Sequence, residues 1–180
     1  ISPSFLSFFT NVINHTFATG IVPKSLKCAS ITPILKKPGL PAVLKNYRSI
    51  SNLPFLAKLM ERAIISQVVE HLNSNSLFEK HQSAYRKAHS TETALLHVQN
   101  SILQSLDAKR SVCLVLLDLS AAFDTVDQDI LVQRLELLGI TDMAHSLLTS
   151  CLKDRSWNVK VGKELSRDRS LFCGYHKAHH

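Results

Sequence analysis

The residues best equipped for chemistry sit in one stretch, VCLVLLDLSAAFDTVDQDIL at 112–131, where carboxylates follow directly on an apolar run. Residues 112–117 are too few for an independent helix and rich in Val and Leu, the composition of a strand buried on both faces. Asp118 ends that run. A carboxylate at the end of a central strand is costly to desolvate unless its charge is offset, and a divalent cation is one common way of offsetting it. The other reading is architectural: Asp118 ends the strand and caps a turn. Phe123 and Asp124 follow in an Ala-lined segment, and Asp127 is placed to cap a helix starting near Gln128.

Such a strand needs other elements to hold it. Residues 4–19 carry Phe5, Leu6, Phe9, Val12, Ile13 and Phe17 at helical spacing, with Gly20 as a C-terminal stop, so an amphipathic packing helix is predicted. Its Phe stripe reads as core rather than as a base-stacking set. CASITPILKKPG predicts a short strand that carries Lys36 and Lys37 into a Pro-Gly turn. Those lysines either meet phosphate or are simply solvated beside the turn. NYRSISNLPF puts Arg48 in a second extended segment. Pro54 then starts a helix to about residue 72, with Leu56, Met60, Ala63, Ile64, Val68 and Leu72 on one apolar face.

Residues 73–80 read as polar loop. In HQSAYRKAHST, Tyr85, Arg86, Lys87 and His89 form a basic and aromatic cluster ahead of a helix with Ser90 as N-cap, and the positive end of that helix favours phosphate. The helix, about 90–106, is predicted to turn Leu95, Val98, Ile102 and Leu106 inward. A helix over 128–138 closed by Gly139, another capped by Thr141, and a hairpin turning at Gly162-Lys163 complete the elements. His176, His179 and His180, in a tail without a neighbouring carboxylate, read as a disordered end rather than a metal site.

At 180 residues, 45% hydrophobic and 19% charged, the chain has the composition of one globular domain or part of one. A net charge of +7 favours an acidic partner such as nucleic acid, or else merely a soluble basic surface. Cys28, Cys113, Cys151 and Cys173 are irregularly spaced with no Cys-x-x-Cys pair, which argues against structural zinc and for reduced, mostly buried thiols of an intracellular protein, in cytoplasm or nucleus. No apolar run approaches the roughly 20 residues of a membrane span, so no membrane partner is expected. The chain begins with Ile1, so this end is read as a possible cut through a longer protein.

Strand, Asp118, four small or apolar residues, Phe123-Asp124 and then Thr-Val-Asp together resemble the first catalytic motif of reverse transcriptases, most closely the version in non-LTR (LINE-like) retrotransposons. The resemblance runs in order through ITPILKKPG, NYRSISNLPFLAKLMER, HQSAYRKAHSTETALL and the 112–131 stretch, to about Gly174. It implies an α+β fold, part of a right-hand polymerase with helices around a short palm sheet: fingers over 1–110, the start of the palm over 111–174 and a divergent tail over 175–180. By resemblance, Asp118 is the catalytic, Mg²⁺-binding carboxylate and Arg48 contacts the incoming nucleotide. Leu119 offers a backbone carbonyl to the metal, Ala121 and Ala122 amides face the triphosphate, and Phe123 is the steric gate against ribonucleotides. Lys36, Lys37, Tyr85, Arg86 and Lys87 fall in the fingers, where nucleic acid is bound. The implied partners are an RNA template, a DNA primer and deoxynucleoside triphosphates.

The chain departs from the family in places. Ser49 stands where the family has Pro, Ala84 where it generally has Gly, and YHKAHH follows Cys173-Gly174 where a Gly-Val-Pro-Gln-Gly segment belongs. The family's second metal-binding element, an aromatic-Ala-Asp-Asp hairpin, is absent from these 180 residues. Two-metal phosphoryl chemistry needs carboxylates from both elements, so the isolated chain is expected to be inactive. A remnant that only binds RNA or DNA, and an inert translation product, are the alternatives.

Overall fold

The computed structural model describes residues 3–119 and 125–171. In chain order its elements are α1 (Pro3–Thr19), β1 (Cys28–Leu35), β2 (Tyr47–Asn52), α2 (Phe55–Ser74), α3 (Thr91–Asp107), α4 (Gln128–Leu137), α5 (Asp142–Leu152), β3 (Ser156–Val161), β4 (Glu164–Leu165) and β5 (Arg169–Ser170). This is a mixed α+β arrangement, as expected from the residue patterns. The chain divides into two compact units, one built from residues 1–69 and 121–180, the other from 70–120.

In the first unit the sheet runs β2-β1-β3-β4, with β5 also on β3. β1 and β2 are antiparallel, whereas β1 and β3 are parallel, pairing Ala29 with Trp157 and Ile31 with Val159. Alternation along β1 buries Ala29 and Ile31 and turns Ser30, Thr32 and Ile34 to the other face. The predicted hairpin turn at Gly162-Lys163 joins β3 to β4. Two pairings were not legible in the residues, β1 with β3 and β3 with β5, because they join segments with no local signal for each other.

Val22, Met60, Ile64 and Leu147 form the core of this unit, with Ile13, Phe17, Leu26, Val68, Leu148 and Cys151 packed around them. α2 thus contributes the face that its periodicity predicts and also buries Ala57, whereas on α1 Phe9, Val12, Ile13 and Phe17 are half-buried but Phe5 and Leu6 of the predicted face are exposed; α5 adds Leu147. Gly20 ends α1 at φ +66°, its N–H donating to the Thr16 carbonyl, and the next turn is tied down by the Val22 N–H donating to Ser150 Oγ at 2.9 Å. A Cβ on Gly20 would lie 2.8 Å from Met143 Sδ and 3.0 Å from the Ser146 Cβ. Gly20→Ala therefore combines left-handed strain with overpacking and is expected to cost about 2–3 kcal/mol. Denaturation followed by the fluorescence of the single tryptophan, Trp157, measures it.

Asp127 caps α4 as predicted, accepting from the Asp129 and Ile130 N–H groups, and Gly139 follows the helix at positive φ. Thr141 precedes α5 but makes no cap bond; its hydroxyl donates instead to the Asp142 carboxylate at 2.9 Å. The cysteines are less buried than expected: Cys28 and Cys151 are half-buried, Cys113 is exposed, and Cys173 lies outside the described residues. No described helix is long and apolar enough to cross a membrane.

The second unit corrects two expectations. α3 forms where predicted, with a capping box between Ser90 and Thr93, but Leu95, Val98 and Leu106 are exposed instead of turned inward. Residues 112–118 are not a buried central strand: they carry no secondary structure, and exposure reaches 83% at Leu116 and 90% at Leu117. Val and Leu make a segment ready to be a strand, but a ladder of hydrogen bonds makes it one, and no described strand pairs with this run. No described residue of this unit is fully buried. Amphipathic patterning states which face an element can bury; only a neighbouring element buries it.

Candidate functional site

Arg48 is positioned by the β1–β2 pairing. It sits opposite Ile34, with Thr32 opposite Ile50, on the sheet face away from Ala29 and Ile31. That outward face thus presents a guanidinium beside two exposed β-branched side chains, Ile34 and Ile50. Ser49, in register with Pro33, keeps the extended backbone that the family proline would impose. Lys36 extends the same pair, its N–H donating to the Asn46 carbonyl at 2.8 Å, but its ammonium donates to the Lys45 carbonyl at 2.7 Å. Lys36 thus holds the loop between the strands. Lys37 has no ion-pair or hydrogen-bond partner among the described residues.

The cluster at 85–87 is built on a turn whose organiser the residue patterns did not reveal. The Arg86 guanidinium lies over the Phe78 ring at 5.1 Å and donates to the Glu79 and Gln82 carbonyls, each at 3.3 Å. Cation–π contact and two carbonyl bonds make Arg86 the clamp of the loop, while its remaining N–H groups keep the capacity to meet an anion. The aromatic in SLFEK, eight residues before Arg86, was the available signal. Tyr85 and Ala88 adopt positive φ, whereas Ala84, the residue standing for the family glycine, does not. Strain of this kind costs roughly 1 kcal/mol per residue and is borne by the loop next to α3. Lys87 is exposed, and its carbonyl contacts His89 Nδ1 at 3.0 Å.

The N-terminus of α3 is less open to phosphate than its sequence suggested. Ser90 Oγ accepts from the Thr93 N–H, Thr93 Oγ1 accepts from the Ser90 N–H, and Glu92 adds a carboxylate in the first turn. Hydrogen bonding from Ser90 and from its own backbone holds the Glu92 carboxyl below the usual carboxylate range. The helix end therefore already has an anion of its own.

Asp118 is exposed, and Leu119 beside it is 78% exposed. The desolvation that would call for a cation is accordingly missing. Ala121, Ala122, Phe123 and Asp124 lie outside the described residues, as do Gly174, His176, His179 and His180. Among the described residues no three His, Cys, Asp or Glu side chains converge as a metal site. Arg48, Lys36 and Lys37 belong to the first unit; Tyr85, Arg86, Lys87, Asp118 and Leu119 belong to the second.

These motifs lie inside a family match. The family described as reverse transcriptase (RNA-dependent DNA polymerase) matches residues 34–175. The chain belongs to the reverse transcriptase family. It is 31% identical over 91% of its length to a probable RNA-directed DNA polymerase from transposon BS of Drosophila melanogaster. It is 30% identical over 94% of its length to the RNA-directed DNA polymerase from mobile element jockey of the same organism. A probable RNA-directed DNA polymerase from transposon X-element shares 28% over 93%. The chain spans about 18% of the length of each. The reverse transcriptase match includes Arg48, the 85–87 cluster and Asp118, so the first-motif resemblance of 112–131 and the homology coincide.

Proposed function

We propose that this chain supplies fingers (1–110) and the start of the palm (111–174) to an RNA-directed DNA polymerase of a non-LTR retrotransposon, followed by a divergent tail over 175–180. The observation that carries the reading is the family match over 34–175, with Asp118 standing at the end of the apolar run in the first catalytic motif. The substrates are deoxynucleoside triphosphates, an RNA template and a DNA primer, met inside the cell. Arg48 reaches the nucleotide from the outward face of the β1–β2 pair, where a forked guanidinium suits phosphate oxygens. Leu119, Ala121, Ala122 and Phe123 line the nucleotide's path after Asp118. Lys37, Tyr85 and Lys87 meet the backbone of the nucleic acid, with Arg86 as the clamp of the loop that carries Tyr85 and Lys87.

The family generally uses divalent metal ions. A lone exposed carboxylate does not satisfy Mg²⁺, which dehydrates reluctantly and wants several fixed oxygens. Among the described residues no group of three His, Cys, Asp or Glu side chains gathers at Asp118.

Phosphate-led binding is tested by titrating the chain with an RNA–DNA hybrid at several salt concentrations. Affinity should fall steeply with salt and show little sequence preference. Lys37→Ala with Lys87→Ala should lower the slope of log affinity against log salt by about 2, one for each lost phosphate contact. Affinity indifferent to salt, or a slope unchanged in the double variant, overturns the assignment.

A further inference from the structure

We propose that Phe78 is a positioning residue for nucleic acid: its ring holds Arg86, and through Arg86 it fixes the turn that carries Lys87. This rests on the nucleic-acid reading of that turn and adds a residue outside the motifs that led to it. Arg86 Cζ lies 5.1 Å from the Phe78 ring centroid, a distance at which a guanidinium is drawn to an aromatic face. Both side chains are half-buried, so water screens the contact less than it would at an open surface. The guanidinium also donates to the Glu79 and Gln82 carbonyls, but at 3.3 Å each, just past the roughly 2.7–3.2 Å of a good N–H···O bond. The ring is therefore a main part of what keeps Arg86 in place.

Phe78 is itself anchored from the α2 side. Ser76 turns the chain at positive φ, and the Leu77 N–H donates to the Leu72 carbonyl at 2.9 Å. On the far side of the contact, the turn is held against strain. Tyr85 and Ala88 sit at φ +60° and +61°, which side-chain-bearing residues adopt at a cost, and the His89 N–H reaches the Arg86 carbonyl at 3.3 Å. A geometry kept in this way is sensitive to a small loss, because apparent affinity scales with the fraction of chains already in the binding shape. His81 stacks on His97 of α3 with ring centroids 5.5 Å apart, which ties the loop to the helix separately. Losing the Phe78 ring thus loosens the turn without releasing the loop. The attraction comes from the ring's electron-rich face, so apolar bulk alone does not replace it.

Titration of the 180-residue chain with an RNA–DNA hybrid, at several salt concentrations, tests the role. Phe78→Leu keeps apolar bulk and removes the aromatic face; it should weaken binding roughly 2- to 5-fold, the worth of a surface cation–π contact. Its slope of log affinity against log salt should match the parent's, since no phosphate contact is lost, whereas Lys87→Ala should lower that slope by about 1. Phe78→Tyr should restore the parent affinity. Without nucleic acid, trypsin should cut after Arg86 and Lys87 faster in Phe78→Leu than in the parent, and at the parent rate in Phe78→Tyr. Circular dichroism should show the same helix content in all of them. A parent chain that does not bind the hybrid overturns the nucleic-acid reading and this role with it. A parent that binds overturns the positioning role alone under any of four results: Phe78→Leu binds as tightly, Phe78→Tyr weakens equally, cleavage rates are unchanged, or Phe78→Leu loses helix.

Discussion

In a chain continued through the family's downstream aromatic-Ala-Asp-Asp hairpin and thumb, Asp118→Asn is expected to lower primer extension by several orders of magnitude, and the 180-residue chain alone is expected to give none. The reasoning is electrostatic. Asparagine keeps the shape of the side chain and removes the charge, so a loss of extension reports the charge and not the packing. Asp118 is exposed, which leaves the variant with no buried contact to lose, so unfolding does not offer itself as the cause. Among the described residues no group of three His, Cys, Asp or Glu gathers at Asp118, and the shared stabilisation of attacking and leaving oxygens requires more than one carboxylate. Phe123→Ala in the same continued chain should keep extension with deoxynucleotides and admit ribonucleotides, because removing a ring removes only a steric exclusion. A labelled primer on an RNA template, run with each nucleotide set, reads all of these outcomes. Extension by the 180-residue chain, or undiminished extension by Asp118→Asn, contradicts the assignment.

Loss of the Glu61 carboxylate is expected to destabilise the first unit by about 1.5–3 kcal/mol, the range for a hydrogen bond to a charged group. Arg155 enters β3 with its side chain only 4% exposed, its Nη2 group 3.1 Å from Glu61 Oε1 on α2 and its Nη1 group donating to the Cys151 carbonyl at 3.2 Å. Glu61 is itself 28% exposed, so the pair lies below most of the solvent screening that makes surface bridges weak. Deleting Glu61 removes a close charge partner from a buried guanidinium. Lys27 is buried nearby, and burial pushes its pKa below the usual lysine value. Glu61→Ala should therefore lower the midpoint of denaturant unfolding read at Trp157. The double variant Glu61→Leu with Arg155→Met should recover much of the loss, since an apolar pair needs no counterion. A Glu61→Ala midpoint within error of the parent would show the pair to be idle.

Many helix ends and turns were legible residue by residue, because their signals are local. Gly20 stops α1 by a left-handed turn, Asp127 caps α4 through two N–H groups, Ser90 caps α3, and Gly162-Lys163 turns the β3–β4 hairpin. Each depends on a few neighbouring residues, and their chemistry is the same in any fold. The polymerase assignment was legible for a related reason. The ordered motifs around Arg48, the 85–87 cluster and Asp118 persist as strings of residue types whatever the chain does in space, and the family match over 34–175 contains all three.

What tertiary structure alone decided is where pairing partners exist. The parallel ladder of β1 with β3 joins residues well over a hundred positions apart, and neither strand names the other in its composition. Arg86 became the clamp of its own loop because Phe78 and two carbonyls surround it, where its residue type pointed outward to phosphate. Residues 112–118 have the composition of a buried strand yet stand exposed, as does most of the apolar face of α3. Hydrophobic patterning is a property of one segment, whereas burial and hydrogen-bond ladders are properties of two, and the second segment is set by the fold.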